Sequence, residues 1–189
     1  MTGTWIAIGI ALVLVIAVIA IYNAIISRAN AVERAWANVI TQERQKNKII
    51  PHLEDVVKDY KEFEQGTLTK VTELRSALQG LDSGKVDTAK LEQAEARTGE
   101  LLKSLNVTVE NYPELKASET YQKLMREITD QQENIGAAIR IFNQNVEDFN
   151  NGIEVFPNSL VNSMLNHKEK IKTFSDSQAE EGFEYKPNI

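Results

Sequence analysis

The chain opens on an unbroken apolar run and then changes period. Trp5 to Tyr22, WIAIGIALVLVIAVIAIY, has no charged or strongly polar side chain. Asn23 interrupts the run, and Ala24, Ile25 and Ile26 extend its apolar character to Ser27. A hydrocarbon core of about 30 Å takes roughly 20 helical residues. Backbone groups in lipid must bond within their own segment. The run therefore predicts a membrane-spanning helix over residues 5–26, after a short tail over 1–4, with Trp5 and Tyr22 as interfacial anchors. Two other readings compete. A cleaved signal peptide has a basic start and a shorter apolar core; MTGTW has no basic side chain, although Ala29-Asn30-Ala31 imitates a cleavage site. A buried core helix needs cover on all sides, which little else in the chain supplies.

Beyond the run, apolar residues recur at helical spacing. Ile25, Ala29, Val32, Trp36 and Val39 form one stripe. No breaker separates them from the span, so one helix is expected to leave the bilayer and run to about Lys46. Thr41–Lys48, TQERQKNK, has no apolar member, and the stripe is read as stopping there. Pro disfavours helix at the preceding residue and suits a first helical turn. Asn47–Ile50 is thus read as a tight turn and Pro51 as the start of a second helix; a kinked continuous helix is the alternative. Leu53, Val57, Tyr60, Leu68, Val71, Leu74 and Leu78 continue the pattern, broken by Glu64. Gly80-Leu81-Asp82-Ser83-Gly84 is a loop by its turn residues.

A third helix is expected over 87–111, with Leu91, Ala94, Thr98, Leu101, Leu105 and Val109 facing inward. Tyr112-Pro113 ends it. Ser118 is the N-cap of a long fourth helix, with Glu119 favourable at its dipole. Its stripe, Ile135, Ile139, Phe142, Val146, Phe149, Ile153 and Phe156, alternates steps of four and three until Pro157. Residues 158–166 suit a short amphipathic helix, and the remainder reads as an extended or partly disordered tail. The expected fold is all-α: a single N-terminal transmembrane helix, an antiparallel four-helix bundle over 27–157, and an amphipathic C-terminal tail over 158–189. Four passes bring the chain back to the membrane. Phe156, Leu160, Met164 and Leu165 are therefore expected to make a second, interfacial contact.

Composition narrows the function. A net charge of −6 argues against a general nucleic-acid binder. The absence of cysteine excludes disulfides, thiolate catalysis and cysteine metal sites. Arg28 and Arg34 follow the span while only the α-amino group precedes it, so the N-terminus is expected outside and the bundle in the cytoplasm. No phosphate loop, dinucleotide fingerprint or nucleophile elbow occurs. His52 and His167 fall at opposite ends of the expected bundle, and Glu54-Asp55 are adjacent residues that do not face each other on a helix. A di-metal bundle uses Glu-x-x-His on facing helices, which is absent. No catalytic, cofactor or metal residue is assigned. Two polar features stay open. Asn143 and Asn150 either set register or partner number at an oligomer seam or bond on the flank. TQERQKNK, with Gln131, Gln132 and Glu133, is either a solvated helix tip or a docking end.

Several ordered motifs carry a family resemblance. Ala35-Trp36-Ala37-Asn38, Ile49-Ile50-Pro51-His52-Leu53 and Val57-Lys58-Asp59-Tyr60 resemble the AWSN, LIPNLV and VKGY elements of the LemA family. Glu110 to Ala117, ENYPELKA, resembles its ENYPxLKA turn. Glu133-Asn134-Ile135, Ala138, Arg140, Phe142-Asn143, Val146, Phe149-Asn150, Ile153 and Phe156-Pro157 resemble its ENRIxxARxxYNxxVxxYNxxIxxFP run. The chain departs from the family at Phe63-Glu64, where His-Glu is frequent, at Thr41 and Glu43, where aliphatic residues are usual, and at Leu165 to Lys168, where Gly-Phe is usual. The resemblance implies a helical bundle on a single-pass anchor in a bacterial plasma membrane, with no established activity, and makes Tyr112 a packing residue under the bundle tip. The expected function is a non-enzymatic scaffold of the envelope that forms a homo-oligomer or docks envelope proteins on the lipid bilayer. The alternatives are a membrane-remodelling or stress-sensing protein and, third, a signalling adaptor.

Overall fold

The computed structural model describes residues 2–58 and 64–175; within them, the side chains of Glu54, Val56, Val57, Lys58, Glu64, Gln65 and Lys116 are excepted. Every regular element among the described residues is helical: α1 (Thr2–Lys58), α2 (Glu64–Gln79), α3 (Thr88–Asn111), α4 (Pro113–Ala117), α5 (Glu119–Glu154), α6 (Asn158–Val161) and a π-helical turn, Asn162–Asn166. The chain divides into two compact units, one of Met1–Ala35 with Ile141–Thr173, the other of Trp36–Arg140 with Phe174–Ile189. Tyr60, Phe63 and the tail from 176 onward lie outside the described residues.

In the first unit, no residue of α1 from Thr2 to Ala24 is buried; burial begins at Ile25 and recurs at Ala29 and Val32. In the same unit, Phe142, Val146, Phe149 and Ile153 of α5 are buried, and Arg28 of α1 lies against Gly152 of α5. The 4-3 spacing puts all four on one face of α5. That helix ends at Glu154. Phe156, the last member expected of its stripe, is instead 79% exposed: beyond Glu154 the backbone no longer holds helical phase. The expected short helix over 158–166 is present as α6 and the π turn. It closes at His167, whose φ of 49° lies in the left-handed region and whose N–H bonds the Asn162 carbonyl at 2.7 Å.

The second unit corrects the reading around Pro51. The chain makes no turn at 47–50, and α1 runs through Pro51 to Lys58. Proline removes one backbone donor and crowds the carbonyl four residues earlier. Here Ile50 and Leu53, both buried, hold the helix on either side of it. Core burial outweighs the local penalty. The α2 stripe is Thr67, Val71, Leu74 and Leu78, with Thr67 buried where Leu68 was expected inward. The loop after α2 is tied to α1: the Trp36 indole N–H donates to the Asp82 carbonyl at 2.8 Å, and Arg44 donates to the Leu81 carbonyl at 3.3 Å. Asp87 caps α3 by accepting from the Lys90 N–H. All six residues expected to face inward from α3 are buried. Tyr112 packs with Met125 against Val109, Leu115 and Tyr121, and the Ser118 hydroxyl accepts from the Tyr121 N–H at the start of α5.

Candidate functional site

Two places in this chain hold chemistry its packing alone does not require. The first lies inside the second unit. The α1 stripe does not stop at TQERQKNK. Val32, Trp36, Val39, Glu43, Lys46, Ile50 and Leu53 keep the alternation of four and three, and all seven are buried. Glu43 and Lys46 thus occupy core positions. The expected end of the stripe and of the helix here is corrected: the inner face of this stretch is covered, while Thr41, Arg44, Gln45 and Lys48 on its outer face stay exposed.

Glu43 is fully buried, and its carboxylate lies 3.0 Å from the Lys46 ammonium. Lys46 Nζ also meets Glu95 Oε1 at 2.5 Å and donates to the Thr98 hydroxyl at 3.1 Å. Gln132 donates to the other Glu95 oxygen at 3.0 Å. Beside it, the buried Gln131 amide donates to the Gln42 carbonyl at 2.8 Å. Two carboxyl groups therefore share one cation. Burial pushes Glu43 up to about 8, against the pull of Lys46, and its hydrogen bond to Glu95 adds to the rise. For Glu95, burial is again the largest influence and also pushes up. The hydrogen bond from Glu43, the charge and hydrogen bond of Lys46 and the hydrogen bond of Gln132 together outweigh it and hold Glu95 below its ordinary value. The two shifts run in opposite directions, so the pair favours a proton on Glu43 and the charge on Glu95. A cavity of about 30 Å³ borders Lys46 and Thr98. That is space for about one water, and it admits no substrate.

The second place is the first unit's junction with the apolar span. The one helix among the described residues that is long and apolar enough to cross a membrane is α1, and none of its most apolar window is buried. Trp5 and Tyr22 are exposed at the ends of that segment. The Asn166 side-chain amide approaches the Tyr22 carbonyl at 3.5 Å. This puts the π turn beside the place where protein packing of α1 begins. Nearby, Phe156, Leu160, Met164 and Leu165 are all at least half exposed. Arg28 lies across buried Gly152, where a Cβ would come within 2.8 Å of the arginine Cδ. An open cleft of about 380 Å³ there is lined by Arg28, Asn145, Asp148, Asn151 and Asn158, among others. The half-buried Asn150 amide group bonds both the N–H and the C=O of Ile171, at 3.0 and 2.8 Å. Asn143 is half-buried one heptad earlier. His52 and His167 fall in different units. No group of three His, Cys, Asp or Glu side chains among the described residues is placed to hold a metal.

Sequence reasoning missed Glu43, Lys46 and Glu95 as a cluster. The signal was there: Glu43 and Lys46 stand four and seven residues after Val39, in phase with the stripe. The sequence profile of the LemA family matches residues 35–188. The chain belongs to the LemA family. Its similarity extends to Protein LemA of Metamycoplasma hominis, with 31% identity over 134 residues, 71% of this chain. The chain spans 60% of the length of that curated LemA relative. The family match takes in the Glu43–Lys46–Glu95 cluster and the Phe156–Leu165 end, and begins after the apolar span.

Proposed function

We propose that this LemA-family chain is a membrane-anchored, non-enzymatic scaffold. Its α1 helix crosses the bacterial plasma membrane once, with the short N-terminus outside. Its helices form an antiparallel bundle on the cytoplasmic side that self-associates or docks envelope proteins. The observation carrying this reading is the abrupt change along α1. No residue from Thr2 to Ala24 is buried, and the core stripe starts at Ile25 in the same helix. A helix so divided serves lipid first and a folded domain second. Basic residues just beyond the span support the assigned orientation. The polar cluster supports a structural task for the domain, because Lys46 pairs with both Glu43 and Glu95 beside a space too small for a substrate.

Oligomer size in native membranes tests the scaffold. Cross-linking in membranes should give discrete multiples of the chain or a defined hetero-complex. A strictly monomeric protein with no cross-linked partner would sink this reading. A membrane-remodelling function draws on the exposed Phe156–Leu165 end, and vesicle deformation by purified protein alone would favour it.

A further inference from the structure

The surface around the π turn is apolar on the wrong side for a protein ending in water. Val161 is buried, as is Ile153 just before it. Yet Phe156 is 79% exposed, Met164 73%, Leu160 54% and Leu165 52%. Inward packing is already satisfied by Val161 and Ile153, so the outward apolar set lacks a partner within its own unit. Its place in the unit says what covers it. Asn166, the last residue of the π turn, reaches the Tyr22 carbonyl. Tyr22 is near the end of the unpacked apolar stretch of α1, and Ile25 is its first buried residue. Trp5 to Ala24, at about 1.5 Å per residue, matches a hydrocarbon core of about 30 Å. The tether thus sets the exposed set at the depth where α1 leaves lipid.

Polar groups fall where headgroups would meet them. Arg28 stands six residues beyond Tyr22, roughly 9 Å along the helix, inside the layer between hydrocarbon edge and water. Lys168 comes after the π turn and is exposed. The Asn162 side chain braces that return from both sides, donating to the Lys168 carbonyl at 2.9 Å and accepting its N–H at 3.0 Å.

We propose that residues 156–165 are a second membrane contact, in which Phe156, Leu160, Met164 and Leu165 embed in the boundary between headgroups and acyl chains of the leaflet through which α1 exits. The occupant is the bilayer already engaged by α1, and the contact is continuous with the span through Asn166 and Tyr22. Arg28 and Lys168 meet the phosphate layer beside it. The segment lies in the membrane surface and does not cross it. This inference rests on α1 being a membrane anchor.

The chain has no cysteine, so single cysteines can carry an environment-sensitive fluorophore in the full-length protein. Three are placed, Met164→Cys, Leu12→Cys and Val107→Cys, each reconstituted into phosphatidylcholine–phosphatidylglycerol vesicles containing nitroxide lipids. Leu12 lies in the span, and Val107 is an exposed apolar residue of α3. A shallow nitroxide should quench the Met164 label severalfold more than the Val107 label, and a deep nitroxide should quench Leu12. If Leu12 is quenched and Met164 matches Val107, the second contact is overturned while the anchor stands. If Leu12 is not quenched, the anchor fails and the second contact with it. Introducing Leu160→Asp should reduce quenching at Met164 and leave Leu12 unchanged; unchanged Met164 quenching would count against the apolar set as its cause.

Discussion

Replacing Glu43 by glutamine should remove most of one component of the protein's pH-dependent stability. Folded Glu43 keeps its proton to about pH 8, against an ordinary value of 4.5. Between those values the native state binds a proton that the unfolded chain has released. Stability contributed by this group is full below 4.5, falls as pH rises, and levels off above about 8. One pKa unit is worth about 1.4 kcal/mol, so the loss across the window is on the order of 5 kcal/mol. The groups facing Glu43 are Lys46 on its own helix and Glu95 on α3. Glu95 shifts downward, so its stabilisation is present above its unfolded value and lost only as pH falls through its folded one, outside the Glu43 window. The glutamine side chain would keep the size and a donor toward Glu95 but could not titrate. Thermal unfolding of the full-length protein in detergent, followed by fluorescence of the buried Trp36 in a Trp5→Phe background, reads the effect. Wild type should lose several kcal/mol relative to Glu43→Gln between about pH 5 and about pH 8.5, a relative Tm change on the order of 10 °C. Parallel pH profiles for the two proteins would show that Glu43 is already ionised in the fold, and the account of the cluster would be wrong.

Three further substitutions have defined outcomes. Lys46→Met leaves the buried carboxyl pair without its cation and should cost about 3–5 kcal/mol at neutral pH, read by chemical unfolding; a loss under about 1 kcal/mol would mean that the ammonium contributes little. Asn150→Ala leaves the Ile171 N–H and C=O without their side-chain partner; it should cost about 1–2 kcal/mol and speed hydrogen exchange at Ile171 while leaving the Leu105 amide unchanged. Gly152→Ala gains up to about 1 kcal/mol of helix propensity but displaces the Arg28 side chain. It should be close to neutral, whereas Gly152→Ala with Arg28→Ala should be more stable than Arg28→Ala alone.

Periodicity found the elements it could see by residue type. On α3, Leu91 through Val109 were legible because most inward positions hold an apolar side chain, and Thr98 sits in phase with them. The same logic failed on α1. Glu43 and Lys46 occupy positions of the same phase, but reading hydrophobicity instead of position ended the stripe at Val39. Recognising them requires knowing that Glu95 and Gln132 supply the compensating groups, which no local pattern reveals. Pro51 misled for a related reason: its local preference is real, and the burial of Ile50 and Leu53 that overrides it is a tertiary fact. At the membrane end, the apolar span and the 158–166 helix followed from composition and spacing. The Arg28–Gly152 contact, the Asn150–Ile171 pairing and the Asn166–Tyr22 tether did not, because each joins segments that no local pattern relates.

Burial starting at Ile25 also bears on how this protein can be taken apart. Membrane proteins that shed a soluble domain expose an extended stalk that a protease can draw into its cleft. Here helical backbone runs unbroken from Thr2 through Ile25 into the core, so that stalk is missing. A protease acting on the intact fold would find relaxed backbone at loops such as Gly80–Gly84, well inside the domain. Cleavage there nicks the protein without freeing it. Release of an intact domain from the apolar span would first require α1 to unwind near Ile25.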